Sequence, residues 1–477
     1  MSSLPSNLLY MASRLSGFTT NIFRLETDNQ TTASANSIIS VSLPSNSIIN
    51  LKSFRMFFTA NSSVTASKGA RLPTAKDLIE RVEVSLGGVV LSQGTNFVNV
   101  LSAAKRALSE TYCDSVLGHP EYIRQISYMT GAAALANTAN ENETCEYCCD
   151  EWEGFMGTAQ PQMFDTSIVP MIKVRIYMAS NNVITTGTTV VLGNAAGNFA
   201  DTSVASTTSN PGTPATATTG ADYLVSNIYF TIECLSLADM AYENLLASQM
   251  ASAGFLEVPY KAYYTFQDTH TGASKFSVAS ASLDRLYLAW RGSNYNAQAT
   301  PVTVSGYKEE GCFVSVTAAA ATSIDVGKPQ FDIGGVLGTN SEKYLSRYFN
   351  FSQPALFASN PTWKAQIQLN GAMMPQFQAS PAALYGITRN SLEYARKGKT
   401  LAFRQYLDNY CVQCFRFNLQ DSEFSRRLSG IDTRSSNLNA VVNTTGALVA
   451  ANPNLMMFAE TTEILRIGYG RSVNIVV

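Results

Sequence analysis

From Asp77 to Leu108 the chain reads DLIERVEVSLGGVVLSQGTNFVNVLSAAKRAL. Val82, Val84 and Leu86 alternate with Arg81, Glu83 and Ser85, the period-2 signature of a half-buried strand. Gly87-Gly88 supplies a hairpin turn that needs positive φ, and Val89–Leu91 starts a return strand. The period then changes: Phe97, Val100, Leu101, Ala104 and Leu108 fall on one face of a helix, with Thr95 or Asn96 placed to cap it. The same order returns later. Lys364–Leu369 alternates, Asn370-Gly371 is a strong hairpin signal, and Ala372–Phe377 leads back. Ser380 and Pro381 open a second helix as N-cap and N1, with Leu384, Ile387, Leu392 and Ala395 on its apolar face.

The two segments superpose at an offset of 283 positions, Leu86 onto Leu369. A second pair, LKSFRMFF (51–58) and LDRLYLAW (283–290), superposes at an offset of 232. The difference of 51 predicts an insertion in the later copy, between about Arg291 and Tyr344. The pattern therefore predicts a duplicated β-rich unit of roughly 220 residues, twice in a chain of 477.

Around these anchors, residues 1–17 read as an N-terminal arm, and strands are expected at about 20–26, 36–43 and 48–60. The stretch 128–160 is acidic and cysteine-bearing without a sustained period, and reads as an elaborate loop. Strand character resumes over 166–178 and again over 223–237. Between them, 179–221 is a run of Thr, Ser, Asn, Gly, Ala and Pro that can bury little apolar surface, so it reads as an exposed tower interrupting the first unit. Ser236 and Asp239 resemble a capping box for a linker helix over 237–254 that ends at Gly254. The second unit follows from 255 to 477, with strands at 255–266 and 274–291, a helix at 400–410, a strand at 411–420 and an apolar tail that must pair as a strand.

Composition narrows the function. Apolar residues make up 45% and charged residues 14%, with a net charge of −2. No Lys/Arg cluster offers a phosphate-binding surface, so sequence-specific nucleic-acid binding is not expected, and association should proceed by shape and apolar contact. The N-terminal sequence lacks the basic and apolar regions of a secretory signal, and no apolar run reaches the length of a spanning helix. Eight cysteines without a spaced framework point to free thiols.

Candidate chemistry is sparse. The two histidines, His119 and His270, stand near no nucleophile or ligand pattern. Cys145-x-x-Cys148, with Cys149, lies in the predicted acidic loop, where it could bind metal or cross-link chains. Cys411-x-x-Cys414 lies in a predicted strand, where positions i and i+3 face opposite sides, which a zinc knuckle does not allow. Asp150, Glu151 and Glu153 read as solvated surface acids, and no phosphate-binding glycine motif occurs. No catalytic, cofactor-binding or metal-ligating residue is therefore assigned, and no cofactor is expected.

The pattern as a whole resembles the double jelly-roll major capsid proteins of double-stranded DNA viruses, close to the virophage, polinton-like and giant-virus group. The residues that carry the likeness are LIERVEVSLGGVVL (78–91), VPYKAYYTF (258–266) and SGIDTRSSNLN (429–439). The resemblance implies an all-β fold of two tandem antiparallel jelly-roll sandwiches with a few short helices. It also implies a non-enzymatic virion protein that trimerises into pseudo-hexagonal capsomers tiling an icosahedral shell. Its partners would be neighbouring capsomers and penton and minor capsid proteins. The alternative is a jelly-roll glycan-binding or adhesion protein.

Overall fold

The computed structural model describes residues 18–63, 68–91, 96–108, 144–188, 222–237, 240–292, 295–296, 302–303, 344–345, 347–349, 351, 363–369, 371–392, 411–418, 429–434, 439–446 and 453–476. The earlier part contains β1 (Phe18–Leu25), β2 (Ala33–Ser34), β3 (Ile38–Ser42), β4 (Ile48–Ser63), β5 (Lys68–Arg71), β6 (Ile79–Leu86) and β7 (Val89–Val90). Helix α1 (Val98–Leu108) and β8 (Thr144–Cys149) come next, followed by α2 (Phe155–Thr158) and β9 (Met163–Asp165). It closes with β10 (Ile172–Met178), β11 (Thr185–Thr188) and β12 (Asp222–Leu237). Helix α3 (Met240–Ala253) leads to β13 (Phe255–Thr269), β14 (Ala273–Ser277), β15 (Leu283–Arg291), β16 (Val302–Thr303) and β17 (Tyr344–Leu345). The rest is β18 (Lys364–Leu369), β19 (Ala372–Ala379), α4 (Pro381–Ser391), β20 (Val412–Arg416), β21 (Asn439–Thr445), β22 (Asn454–Gly468) and β23 (Ser472–Val476).

The same antiparallel topology is built twice. One sheet runs β1-β12-β4-β8 and its partner β3-β10-β6-β7; later, β13-β22-β15-β20 faces β14-β21-β18-β19. Each set of eight strands occurs in the same chain order and takes the same places, the jelly-roll arrangement. The aligned segments of the sequence occupy equivalent strands: β4 corresponds to β15, and β6 to β18. Local chemistry explains the elements. Along β10, Ile172, Val174, Ile176 and Met178 point inward and the residues between them do not. Gly87 and Gly88 take φ of 56° and 97°, both positive as a two-residue hairpin demands. Ser380 accepts a hydrogen bond from the Ala383 amide and Pro381 occupies N1, as expected. Helix α3 ends at Gly254, φ 77°, whose amide donates to the Met250 carbonyl.

The sheet β13-β22-β15-β20 is covered on both faces. Every residue of β15 is buried, as is every residue of β22 from Asn454 to Glu463. Leu286, Leu288, Trp290, Leu455, Met457 and Ala459 fill the core of the second sandwich with Trp363, Ile367 and Val442. The opposite face, with Tyr287, Ala289, Val412, Cys414, Met456 and Phe458, joins the core of the first sandwich. One apolar core thus runs through the first sandwich and across the seam.

Several expectations need correction. Residues 144–149 are a strand, β8, paired with β4 from Asn61 to Met56, not part of a loop; buried Tyr147, bonded to the Pro73 carbonyl at 2.7 Å, anchors it. Strand structure does not start at 166: Thr166–Ile168 is a 3-10 turn capped by the Asp165 carboxylate, and β10 begins at Ile172. Asn96 does not cap α1. The helix begins after Phe97, whose φ is 54°, and the Asn96 backbone is bonded through both its amide and its carbonyl to the Thr265 hydroxyl of β13. Ser236 lies in β12 opposite Thr19, so no capping box forms there. Residues 1–17, Thr95, His119, 128–143, 189–221, Asp239, most of 291–344, Ala395 and 400–410 lie outside the described residues.

Candidate functional site at the seam between the sandwiches

β13 carries one of the sequence motifs, VPYKAYYTF, and its alternation delivers side chains across the seam. On the first sandwich, α1 and the segment from Trp152 to Gln160 meet it. Phe155 packs edge-on against Tyr260 at 5.4 Å between ring centroids. The Lys261 amide donates to the Thr158 hydroxyl at 2.9 Å, and the Gln160 amide to the Pro259 carbonyl at 3.0 Å. Gly157 permits this turn, because a Cβ there would fall 1.8 Å from the Trp152 carbonyl oxygen.

Within the apolar seam lies a compensated charge cluster. The Glu460 carboxylate accepts from the Tyr287 hydroxyl at 3.0 Å, from the Tyr263 hydroxyl at 3.4 Å and from Arg285 at 3.5 Å. Lys105 of α1 donates to Glu153 and to the Tyr263 hydroxyl, both at 2.8 Å, and its ammonium lies 4.7 Å from the Tyr263 ring centroid. Burial pushes the Glu460 carboxyl up, but Arg285, Lys105 and Lys261 outweigh it and hold the group below its ordinary range. Burial likewise works against the Lys105 charge, and Glu153 and Glu460 overcome it, so its pKa is raised. Beside them Lys261 pairs with Asp284 at 2.6 Å, and Glu463 accepts from Tyr260 and Tyr264 at 2.6 Å each. Burial dominates at Glu463 and raises its pKa. The arrangement binds two halves of one chain together and presents no open nucleophile.

The motif SGIDTR runs along the start of β15. Leu283 and Ile431 exchange backbone hydrogen bonds at 2.9 and 3.0 Å, and the Gly430 amide donates to Ser282 at 2.9 Å. The remaining motif, LIERVEVSLGGVVL, spans β6 and β7. There Glu83 accepts from Arg175 at 2.8 Å, Arg81 at 3.1 Å and Tyr177 at 3.2 Å on the outer face of its sheet.

Candidates for chemistry are dispersed. His270 is buried between the Ser274 and Thr444 hydroxyls, each at 2.7 Å, edge-on to Trp290; burial lowers its pKa. Cys411 lies in the second sandwich's core and Cys414 on the opposite face, in the seam. Burial pushes the Cys414 thiol up to about 12. Cys148 and Cys149 are buried on β8. Asp150, Glu151 and Glu153 do not act together: they face Arg55, Lys76 and Lys105 respectively. Among the described residues no group of three or more His, Cys, Asp or Glu is placed to hold a metal ion, and no helix is long and apolar enough to cross a membrane. The seam cluster was missed in the sequence because its members are scattered from Lys105 to Glu463. Its one local signal is a pair of acidic residues, Glu460 and Glu463, between the apolar runs of β22.

No protein-family model matches the chain, and no curated protein matches it. Solved structures match over nearly the whole length. PBCV-1 VP54, as fitted into a cryo-EM reconstruction of the virophage Sputnik, is similar with a TM-score of 0.54 at 12% identity, covering 99% of this chain and 100% of that one. The Faustovirus major capsid protein gives 0.56 at 10% identity, covering 98% and 93%. The fold is that of a double jelly-roll major capsid protein. A chain of the PBCV-1 virus capsid gives the same result, with a TM-score of 0.52 at 12% identity over 99% and 100%. In this double jelly roll the charge cluster sits at the junction of the two rolls.

Proposed function

We propose that this chain is a structural major capsid protein of a double-stranded DNA virus, residing in the virion. The observation that carries the reading is the pair of rolls of identical strand order, fused through one buried seam, in a chain that is similar end to end to capsid proteins. Three copies would present six similar rolls as a pseudo-hexagonal capsomer, and capsomers would tile an icosahedral shell with penton and minor capsid proteins. The chain would divide into an arm at 1–17, a first roll at 18–236, a linker at 237–254 whose helix is α3 (Met240–Ala253), and a second roll at 255–477. The loops at about 179–221 and 291–344 would form towers on one face. Their described stems support this, because Asn182 bonds to Asn296 at 2.5 Å and Arg291 stacks on Tyr295 and Tyr348. The role is non-enzymatic. A glycan-binding or adhesion protein is not favoured, since the full-length matches are capsid proteins. Light scattering with negative-stain imaging of the same peak tests the reading. A mass of three chains with a pseudo-hexagonal outline, or shells, is expected; a stable monomer would overturn it.

A further inference from the structure

Glu463 is 3% exposed, and its carboxylate ends between two hydroxyls. Oε2 accepts from Tyr260 and Oε1 from Tyr264, each at 2.6 Å. Among the described residues no cation is left for it. On its own strand Glu460 is held by Arg285, and Arg466 is paired with Glu257. On β13 Lys261 is paired with Asp284, and on α1 Lys105 with Glu153. β23, which pairs with the end of β22, carries no charged side chain. Burial without a counter-ion favours the protonated form of a carboxyl, and at Glu463 it outweighs the bonds from the two tyrosines. The Tyr260 hydroxyl has a second neighbour. It lies 3.4 Å from the Leu91 carbonyl oxygen, just beyond β7 in the first roll.

A phenol hydroxyl carries one proton, so Tyr260 cannot donate to both oxygens. Burial and the adjacent carboxylate push its pKa up, and it keeps that proton. The state of Glu463 decides which acceptor it takes. Ionised, Glu463 only accepts, and Tyr260 bonds to it within the second roll. Protonated, Glu463 donates to the Tyr260 oxygen, and the Tyr260 proton turns to the Leu91 carbonyl. We propose that Glu463, Tyr260 and the Leu91 carbonyl form a proton-controlled latch between the two rolls: a proton bound at Glu463 closes a hydrogen bond across the seam, and its release opens that bond. Tyr264 stays bonded to Oε1 in both states. The neighbouring Glu460 does not follow, because its cations hold it ionised, so the charge cluster keeps the rolls together while the latch changes. A reporter stands beside it. Phe155 packs edge-on against the Tyr260 ring, and the Gln160 amide crosses the seam to the carbonyl of Pro259, the residue before Tyr260.

The latch belongs to the single chain, so it stands or falls apart from the capsid reading. Hydrogen exchange of the full chain, read by peptide mass over 155–165 and corrected for the intrinsic effect of pH, follows the Gln160 amide from about pH 5 to about pH 9. In the wild type its protection should fall roughly three- to tenfold as pH rises, the worth of one hydrogen bond. Glu463→Gln puts an amide donor where the protonated carboxyl donates, and should keep the acid-side protection throughout. Tyr260→Phe removes the hydroxyl that switches, and its protection should not follow pH in this way. Infrared spectra over the same range separate the titration from the latch: the carboxyl band that grows on acidification should lose one component in Glu463→Gln and keep it in Tyr260→Phe. Wild-type protection that runs parallel to that of Glu463→Gln, or a pH dependence that survives in Tyr260→Phe, would overturn the latch. So would a carboxyl band unchanged in Glu463→Gln, since Glu463 would then not take up the proton.

Discussion

Replacing Glu460 by Gln isolates the electrostatics of the seam. Glutamine fills nearly the same volume and its oxygen still accepts from Tyr287 and Tyr263, while its amide nitrogen replaces the oxygen that accepted from Arg285, so the change removes the charge together with that one bond. Arg285, 5% exposed, then loses its carboxylate, while Lys105 keeps Glu153 at 2.8 Å. Removing one partner of a buried ion pair costs about 3–5 kcal/mol, and the lower end applies here because the second cation stays paired. The Glu460 pKa is held below its ordinary 4.5 in the folded protein. The folded state therefore binds fewer protons than the unfolded state below that value, and the carboxylate stabilises fully above it. Its contribution disappears as pH falls through the lowered folded value, so the gap between wild type and variant must close in acid. Urea unfolding followed by tryptophan fluorescence, at neutral and acid pH, measures both quantities. A neutral-pH loss under about 1 kcal/mol, or a loss unchanged in acid, would refute a compensated cluster in the seam. A double variant with Arg285→Met should recover much of the loss, since no buried charge is then stranded.

Three further outcomes are expected. Gly430→Ala places a Cβ 2.4 Å from the Leu283 carbonyl, which is fixed by its ladder with Ile431, and should cost about 1–3 kcal/mol in urea unfolding. His270 has a folded pKa below its ordinary 6.5, so the unfolded chain takes up a proton first on acidification. The stability from the neutral ring is complete above 6.5 and falls as pH drops toward the folded value; a His270→Gln variant, followed by urea midpoint against pH, should lack that component. The thiols of Cys411 and Cys414 are fully buried and should resist alkylation until the chain unfolds, and rapid native labelling of Cys414, read by peptide mass, would contradict its place in the seam.

What the amino-acid sequence determined by itself was local and periodic. The strands over 82–86 and 364–369, the glycine hairpins, the Ser380-Pro381 helix start and the Gly254 stop are each set by a few neighbouring residues, and the structure has them all, but Glu83, Ser85 and Gln366 are buried where alternation alone puts them toward solvent. The repeat of strand–turn–strand–helix made the duplication visible, because two copies of one topology repeat the same local signals. The strand β8 was missed because TCEYCC is six residues long, sits at the end of an aperiodic acidic stretch and owes its place to pairing with β4. The Asn96 backbone was claimed by Thr265 of a distant strand. The seam was a decision of the tertiary structure. Burial on both faces turns β15 and β22 into continuous buried runs. Only packing brings Lys105, Glu153, Arg285 and Glu460 close enough that each offsets the cost of burying the next. Charge compensation depends on distance in space, and distance along the chain does not encode it.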